Sequence, residues 1–180
     1  MRVGWRLGLR SEQLLFPSQR RLSNLVQTGA ARLPAEGGHT QTGGGGAGPV
    51  IGIDTNVLVR YIAQDDATQS ARATRLLEEE CSPATPGFIG LVVLLELVCV
   101  SESCYGASRA EIAGLVRRIL GIRQLVVEDA EIAWRALRLF ESSKADFADC
   151  LVERVAAAAG CTAVMTFDKA AAKAGMTLLV

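Results

Sequence analysis

Residues 50–62 read V-I-G-I-D-T-N-V-L-V-R-Y-I, and the change of period inside this stretch decides how the rest of the chain is read. V-I-G-I is a short apolar run of strand character, whereas V-L-V-R-Y-I carries apolar side chains at helical spacing. Between them stand Asp54, Thr55 and Asn56, residue types that accept hydrogen bonds from the free N–H groups at the start of a helix. A strand running into a capped helix opens a β–α unit. The same pattern returns downstream. A helix is expected over 67–80, its closing Glu78-Glu79-Glu80 forming a solvated face, then a loop bracketed by Pro83 and Pro86. A brief strand is expected near 86–89. Helices follow at about 91–103, 108–121 and 129–143, with Gln124–Val127 as a strand between the last two. Asp146 opens a helix running to about 159, followed by a strand at 163–166, a short helix after Asp168, and a closing strand T-L-L-V. Short apolar strands alternating with helices predict an α/β domain with a central, mostly parallel sheet, helix dominating.

Charge is uneven along the chain. The 180 residues carry no net charge, yet up to residue 47 six arginines face only Glu12 and Glu36, and from residue 48 onward thirteen Lys/Arg face seventeen Asp/Glu. The compact part is mildly acidic and does not advertise a broad phosphate-binding surface. Nucleic-acid binding would have to come from a local patch or a bound metal. The five cysteines (Cys81, Cys99, Cys104, Cys150 and Cys161) form no C-x-x-C pair and read as small core hydrophobes of a protein in a reducing, cytoplasmic setting. No stretch reaches the roughly 20 apolar residues of a membrane span.

Domain organisation divides near residue 48. Residues 37–48, GGHTQTGGGGAG, are a glycine-rich run without the apolar side chains to build a core. The arginine-rich stretch before it suits a transit peptide, or sequence read through from a misplaced start with Val50 as the true first residue. The expectation is therefore an extension over 1–48 and one folded domain over 49–180.

Much chemistry is excluded by what is missing. The single histidine, His39, lies in the glycine-rich run, so the domain offers no Ser-His-Asp or Cys-His arrangement and no His-ligated zinc. No G-x-x-x-x-G-K-S/T or G-x-G-x-x-G motif appears. Carboxylates remain. Asp54 and Asp168 each follow a predicted strand, where sheets of this class build their sites. Asp146 and Asp149 are three apart, hence on one face of a helical turn. Glu96 interrupts the apolar run V-V-L-L-E-L-V-C-V at 92–100, and an ionised carboxylate buried there needs a partner. Taken singly, each has a plainer reading: Asp54, Asp146 and Asp168 as helix caps, Glu96 as a solvent-facing residue. Taken together, they favour a hard cation with oxygen ligands, Mg²⁺ or Mn²⁺. Arg60, Arg72, Arg75 and Lys169 are the candidates for contacts to a phosphate backbone.

The stretches I-D-T-N-V-L-V-R-Y, L-L-E-L-V-C-V with a following Y-G, A-D-F-A-D-C-L and T-F-D-K together resemble a PIN domain, specifically the VapC-type toxin ribonucleases of toxin–antitoxin pairs. The resemblance runs from about residue 50 to the C-terminus. It implies a three-layer α/β/α sandwich and a Mg²⁺- or Mn²⁺-dependent endoribonuclease held in check by a cognate antitoxin protein, with a homodimer expected. Carried over motif by motif, the acidic set is Asp54, Glu96, Asp149 and Asp168, with Asp146 as an additional acid, and Asn56 and Thr166 as supporting polar groups. The apolar residues of 57–62 and 91–100 exceed what a core obviously needs and suggest an interface. Two features depart from the pattern: the arginine-rich extension, and Glu102 with Cys104 at a helix end expected to be more apolar or basic. Two other classes were weighed. One is a PIN-like module that binds RNA or protein without cleaving. The other is a phosphatase or phospho-receiver with an Asp54 nucleophile, which fits poorly because the second acid such a phosphatase needs is Asn56 here.

Overall fold

The structure, a computed structural model, describes residues 49–180; the expected extension over 1–48 lies outside the described residues. Five short strands and seven α-helices follow one another in near alternation. Strand β1 is Ile51–Gly52, β2 Gly87–Ile89, β3 Leu125–Val127, β4 Met165–Thr166 and β5 Thr177–Leu178. The helices are α1 Thr55–Ala63, α2 Ala67–Arg75, α3 Leu91–Tyr105, α4 Arg109–Gly121, α5 Ala130–Ser142, α6 Phe147–Ala158 and α7 Lys169–Lys173. The expected second helix stops being α-helical at Arg75 and closes in a π-helical turn, Leu76–Glu80.

All strand pairs are parallel, as the alternation requires, since parallel neighbours need a crossover between them. They form two ladders: β1–β2–β3, with Ile51 opposite Gly87 and Gly87 opposite Leu125, and β4–β5, with Met165 opposite Thr177. The pleat sorts the first ladder by face. Ile53, Gly87, Ile89 and Val127 point into the core, while Gly52, Phe88 and Val126 share the opposite, less covered face, Phe88 38% and Val126 46% exposed. This mixed α/β fold with a parallel sheet is the predicted class.

One hydrophobic cluster joins strands and helices. Ile89, Leu94, Ile112, Val116, Ala133, Ala136, Phe140 and Phe147 are sealed from solvent. Phe140 of α5 meets Phe147 of α6 edge to face at 5.8 Å, and the Arg109 guanidinium lies 3.7 Å over the Phe140 ring. The same guanidinium donates to the carbonyls of Phe140 and Ser143, satisfying the free acceptors at the end of α5. Buried Ala145 and Phe147 then clamp the turn between them, leaving Asp146 exposed at the mouth of α6.

Cysteine placement corrects one expectation. Cys81 and Cys150 are buried core residues, but Cys99, Cys104 and Cys161 are exposed, the first two on the outward side of α3 and the third in the loop after α6. The apolar surplus is also largely absorbed: Leu58, Tyr61 and Ile62 of α1 and Leu94, Leu97 and Val98 of α3 are core, leaving Val92 as the large exposed side chain of these two helices.

Gly87 is where the sheet is least forgiving. A Cβ there would stand 2.8 Å from Leu125 Cδ2, 3.0 Å from Ile53 Cγ1 and 3.2 Å from Cys81 Sγ. Overpacking a closed core costs about 1–3 kcal/mol. Gly87→Ala is therefore expected to lower stability by that amount in denaturant unfolding, whereas Gly114→Ala, with open space around its Cβ, should be neutral or stabilising.

Candidate active site

Within each ladder the parallel strands end on the same edge, and a helix starts shortly after each of β1, β2, β3 and β4. Asp54, directly after β1, is the N-cap of α1: Oδ2 accepts the Asn56 backbone N–H at 3.3 Å and Asn56 Nδ2–H at 3.1 Å. Asp146 caps α6 by accepting Asp149 N–H at 2.7 Å. Asp168 caps α7, its Oδ1 accepting Ala170 N–H at 2.6 Å and Ala171 N–H at 2.9 Å. The Asp168 backbone N–H in turn donates to Thr166 Oγ1 at 2.9 Å. Three of the predicted acids thus have the capping role that residue type alone allows. Asp54 and Asp168 each spend a single carboxylate oxygen on it, the other having no protein partner among the described residues. Asn56 and Thr166 each touch the acid they were expected to support.

Glu96 resolves differently from its sequence context. Helix α3 is apolar almost all round, but Val92, Glu96, Cys99 and Ser103 form an exposed stripe at i, i+4, i+7 and i+11, while Leu94, Leu97, Val98 and Ser101 face inward. The Glu96 carboxylate is accordingly solvent-facing and carries no large desolvation cost. Its protein partner is the buried hydroxyl of Thr55, 4% exposed, whose Oγ1 donates to Oε2 at 2.5 Å. Thr55 was not singled out in the sequence, although it stands between two residues that were; only the fold shows which way its hydroxyl points.

Glu128 was missed as well. Helix α3 starts at Gly90, which has no side chain to cap with, and Glu128, one residue beyond β3, fills the gap by accepting Leu91 N–H at 2.8 Å. An acid after a strand was the available signal.

The acids fall into two groups. Asp54, Thr55 and Glu96 form one, at the start of α1 and on α3. Asp146, Asp149 and Asp168 form the other, at the starts of α6 and α7. Asp149, half-buried, has its carboxyl pushed above the ordinary range by burial and by the negative charges of Asp146 and Asp168. Cys99 lies between the groups: its thiol is pushed up by burial, then by Glu102, Asp146 and Glu96. Among the described residues no three His, Cys, Asp or Glu side chains converge as a ready-made metal cage. The donor chemistry nevertheless fits a hard divalent cation: carboxylate oxygens, no Lys or Arg pair on any of the five acids among the described residues, and like charges beside Asp149.

With this arrangement in hand, the comparison with known families is direct. The PIN domain family model matches residues 51–175, and the chain belongs to the PIN domain family. PIN domains are generally nucleases that use divalent metal ions. No curated protein and no solved structure gives a significant match. Among the described residues no helix is long and apolar enough to cross a membrane.

Like-charge crowding has a sign that can be measured without metal. A carboxyl whose folded pKa is raised above its unfolded value of 3.8 binds more protons folded than unfolded, so its ionisation lowers stability as pH rises through the interval between the two. In EDTA, Asp149→Asn should raise stability at pH 7 by about 0.5 kcal/mol, the scale of a like-charge pair one turn apart. The gain should shrink as pH falls through the unfolded value and vanish below about pH 3, where the wild-type carboxyl is largely protonated in both states. Thermal melts across pH read this out; a variant less stable than wild type at pH 7 would contradict it.

Proposed function

We propose that this protein is a Mg²⁺- or Mn²⁺-dependent endoribonuclease of the VapC type, the toxin of a toxin–antitoxin pair. The observation carrying the reading is the gathering of Asp146, Asp149 and Asp168 at the helix starts of a PIN domain, where burial and then the charges of Asp146 and Asp168 raise the Asp149 carboxyl. Such accumulated charge is what a divalent cation relieves and what a phosphodiester by itself would not approach.

Asp54, Glu96, Asp149 and Asp168 would hold the metal, with Asp146 adding charge. A bound divalent cation supplies a Lewis acid for the phosphoryl oxygen and makes water a better nucleophile. The chain's own groups orient those donors. Asn56 and the α1 amide fix one oxygen of Asp54, leaving the other free. Thr55 sets the angle of the Glu96 carboxylate, and the α7 amides with Thr166 fix Asp168. With no histidine in the domain, protons leaving the nucleophile pass to carboxylates or solvent.

The partner half of the reading rests on the family resemblance and on charge. A cluster of acidic side chains suits a basic side chain delivered by an antitoxin, which would compete with the metal. A homodimer belongs to the same reading, with Val92 on α3 as the exposed apolar contact.

Asp54→Asn separates chemistry from structure. Asparagine caps a helix as well as aspartate does, so the fold should persist, while the metal loses a charged ligand. Removing a group that only orients a metal ligand costs about 10–100-fold; loss of a direct ligand should cut RNA cleavage by more than about 100-fold and abolish growth arrest on expression in bacteria. Undiminished cleavage by Asp54→Asn would falsify the assignment. Wild-type protein that binds RNA but never cleaves it would point instead to a PIN-like binding module.

A further inference from the structure

Four basic residues were candidates for the phosphate backbone, and the fold separates them. Arg75 is committed to Glu79 and Glu80, at 3.8 and 3.4 Å. Lys169 opens α7. Arg60 and Arg72, by contrast, stand together on the rim of a groove of about 260 Å³ between α1 and α2, with Asn56 and Gln69, over a floor that includes Val57 and Leu76.

Arg60 is held in place rather than spent. Its Nη1 donates to Asp65 Oδ1 at 2.6 Å and its Nε to Gln69 Oε1 at 2.8 Å, leaving Nη2 without a protein acceptor among the described residues. Asp65 is braced from behind by Tyr105 Oη–H at 2.8 Å. Burial and this hydrogen bond push the Tyr105 hydroxyl up to about 12, so it remains a donor at any physiological pH. Arg72, exposed on α2, has no acceptor among the described residues. In a domain whose acids outnumber its bases, the groove rim offers one unpaired guanidinium, Arg72, beside an Arg60 whose charge Asp65 offsets but whose Nη2 is left for a further acceptor.

Its position gives the rim a use. Asn56 is shared: it steadies Asp54 through Nδ2 and also lines the groove. Asn56 and Arg60 are four residues apart, stacked on one face of α1. A strand leaving the carboxylates along α1 therefore meets Asn56, then Arg60, with Arg72 facing from α2. Guanidinium forks match phosphate oxygens, and an apolar floor below a basic rim suits the sugar and base faces of a single strand.

Resting on the ribonuclease reading, we propose that the α1–α2 groove carries the RNA backbone to the carboxylates, Arg72 and Arg60 holding phosphate and Arg72 setting affinity without taking part in cleavage.

The test compares the full-length wild type with Arg72→Ala and a control, Arg138→Ala, which removes an exposed arginine on α5. Binding of a fluorescent single-stranded RNA is measured by anisotropy in EDTA over a salt series, so that it does not depend on catalysis. Arg72→Ala should weaken binding about tenfold, the loss of one charge-assisted contact, and reduce the slope of log affinity against log salt by about 1, alike across RNA sequences. Arg138→Ala should change neither. With Mn²⁺, Arg72→Ala should raise KM and leave kcat within about twofold. Unchanged binding in Arg72→Ala, or equal losses in both variants, overturns the groove as an RNA path and gives it to a protein partner or to nothing. Absence of cleavage by the wild type rejects the proposed function while the anisotropy result still decides the groove.

Discussion

Each acid on the working edge is pulled by two demands, and helix capping is what reconciles them. A helix start leaves N–H groups unsatisfied and presents a partial positive charge. Asp54, Asp146 and Asp168 each answer that need with a carboxylate oxygen, gaining about 1 kcal/mol apiece. The gain offsets the repulsion among neighbouring carboxylates, so the domain can fold around clustered negative charge. It also fixes where the remaining oxygens point. A site built from uncapped acids on loops would have neither property.

The second constraint is the opposition of two charge regimes across α1. One end of the helix carries Asp54 beside Thr55 and Glu96. One turn along, Arg60 is locked to Asp65 and Gln69, with Tyr105 reaching from α3 to complete the network. Asp65 is itself held below the ordinary carboxylate range: burial works to raise it, but hydrogen bonds from Arg60 and Tyr105 win. The same short helix therefore fixes both signs of charge at a set spacing. Helix α3 braces it twice, through Glu96 near its middle and Tyr105 at its end.

Much of the fold could be read from period and punctuation. The β1–α1 junction was legible because strand and helix periods meet at Asp-Thr-Asn, and α2, α4, α6 and α7 likewise start at a capping side chain. The acids were legible because they follow strands or share a helical turn. What could not be read depends on contacts distant in sequence. Glu96 looked buried because its neighbours in sequence are apolar, but helical spacing puts it on the stripe with Val92 and Cys99. Thr55 as its partner spans forty-one positions. The break of the sheet into two ladders reflects the brevity of β1 and β4, two residues each, which leaves pairing to tertiary packing. Cys99 and Cys104 were misplaced for the same reason as Glu96, since composition says nothing about which way a helix is turned, and Cys161 lies in the loop after α6.

The cap that Glu128 places on α3 has a consequence for how the domain opens. Its backbone N–H donates to Ile89 O at 2.8 Å, extending the β2–β3 ladder, while its side chain accepts Leu91 N–H. The junction Ile89-Gly90-Leu91 is therefore held from a neighbouring strand and not by its own residues. Local fluctuations follow such shared contacts rather than chain order. The first turn of α3 will fray together with the end of β3, and hydrogen exchange at Leu91 will track Glu128 more closely than it tracks the rest of its own helix. Glu96, a little over one turn further on, inherits its steadiness from a strand it never touches.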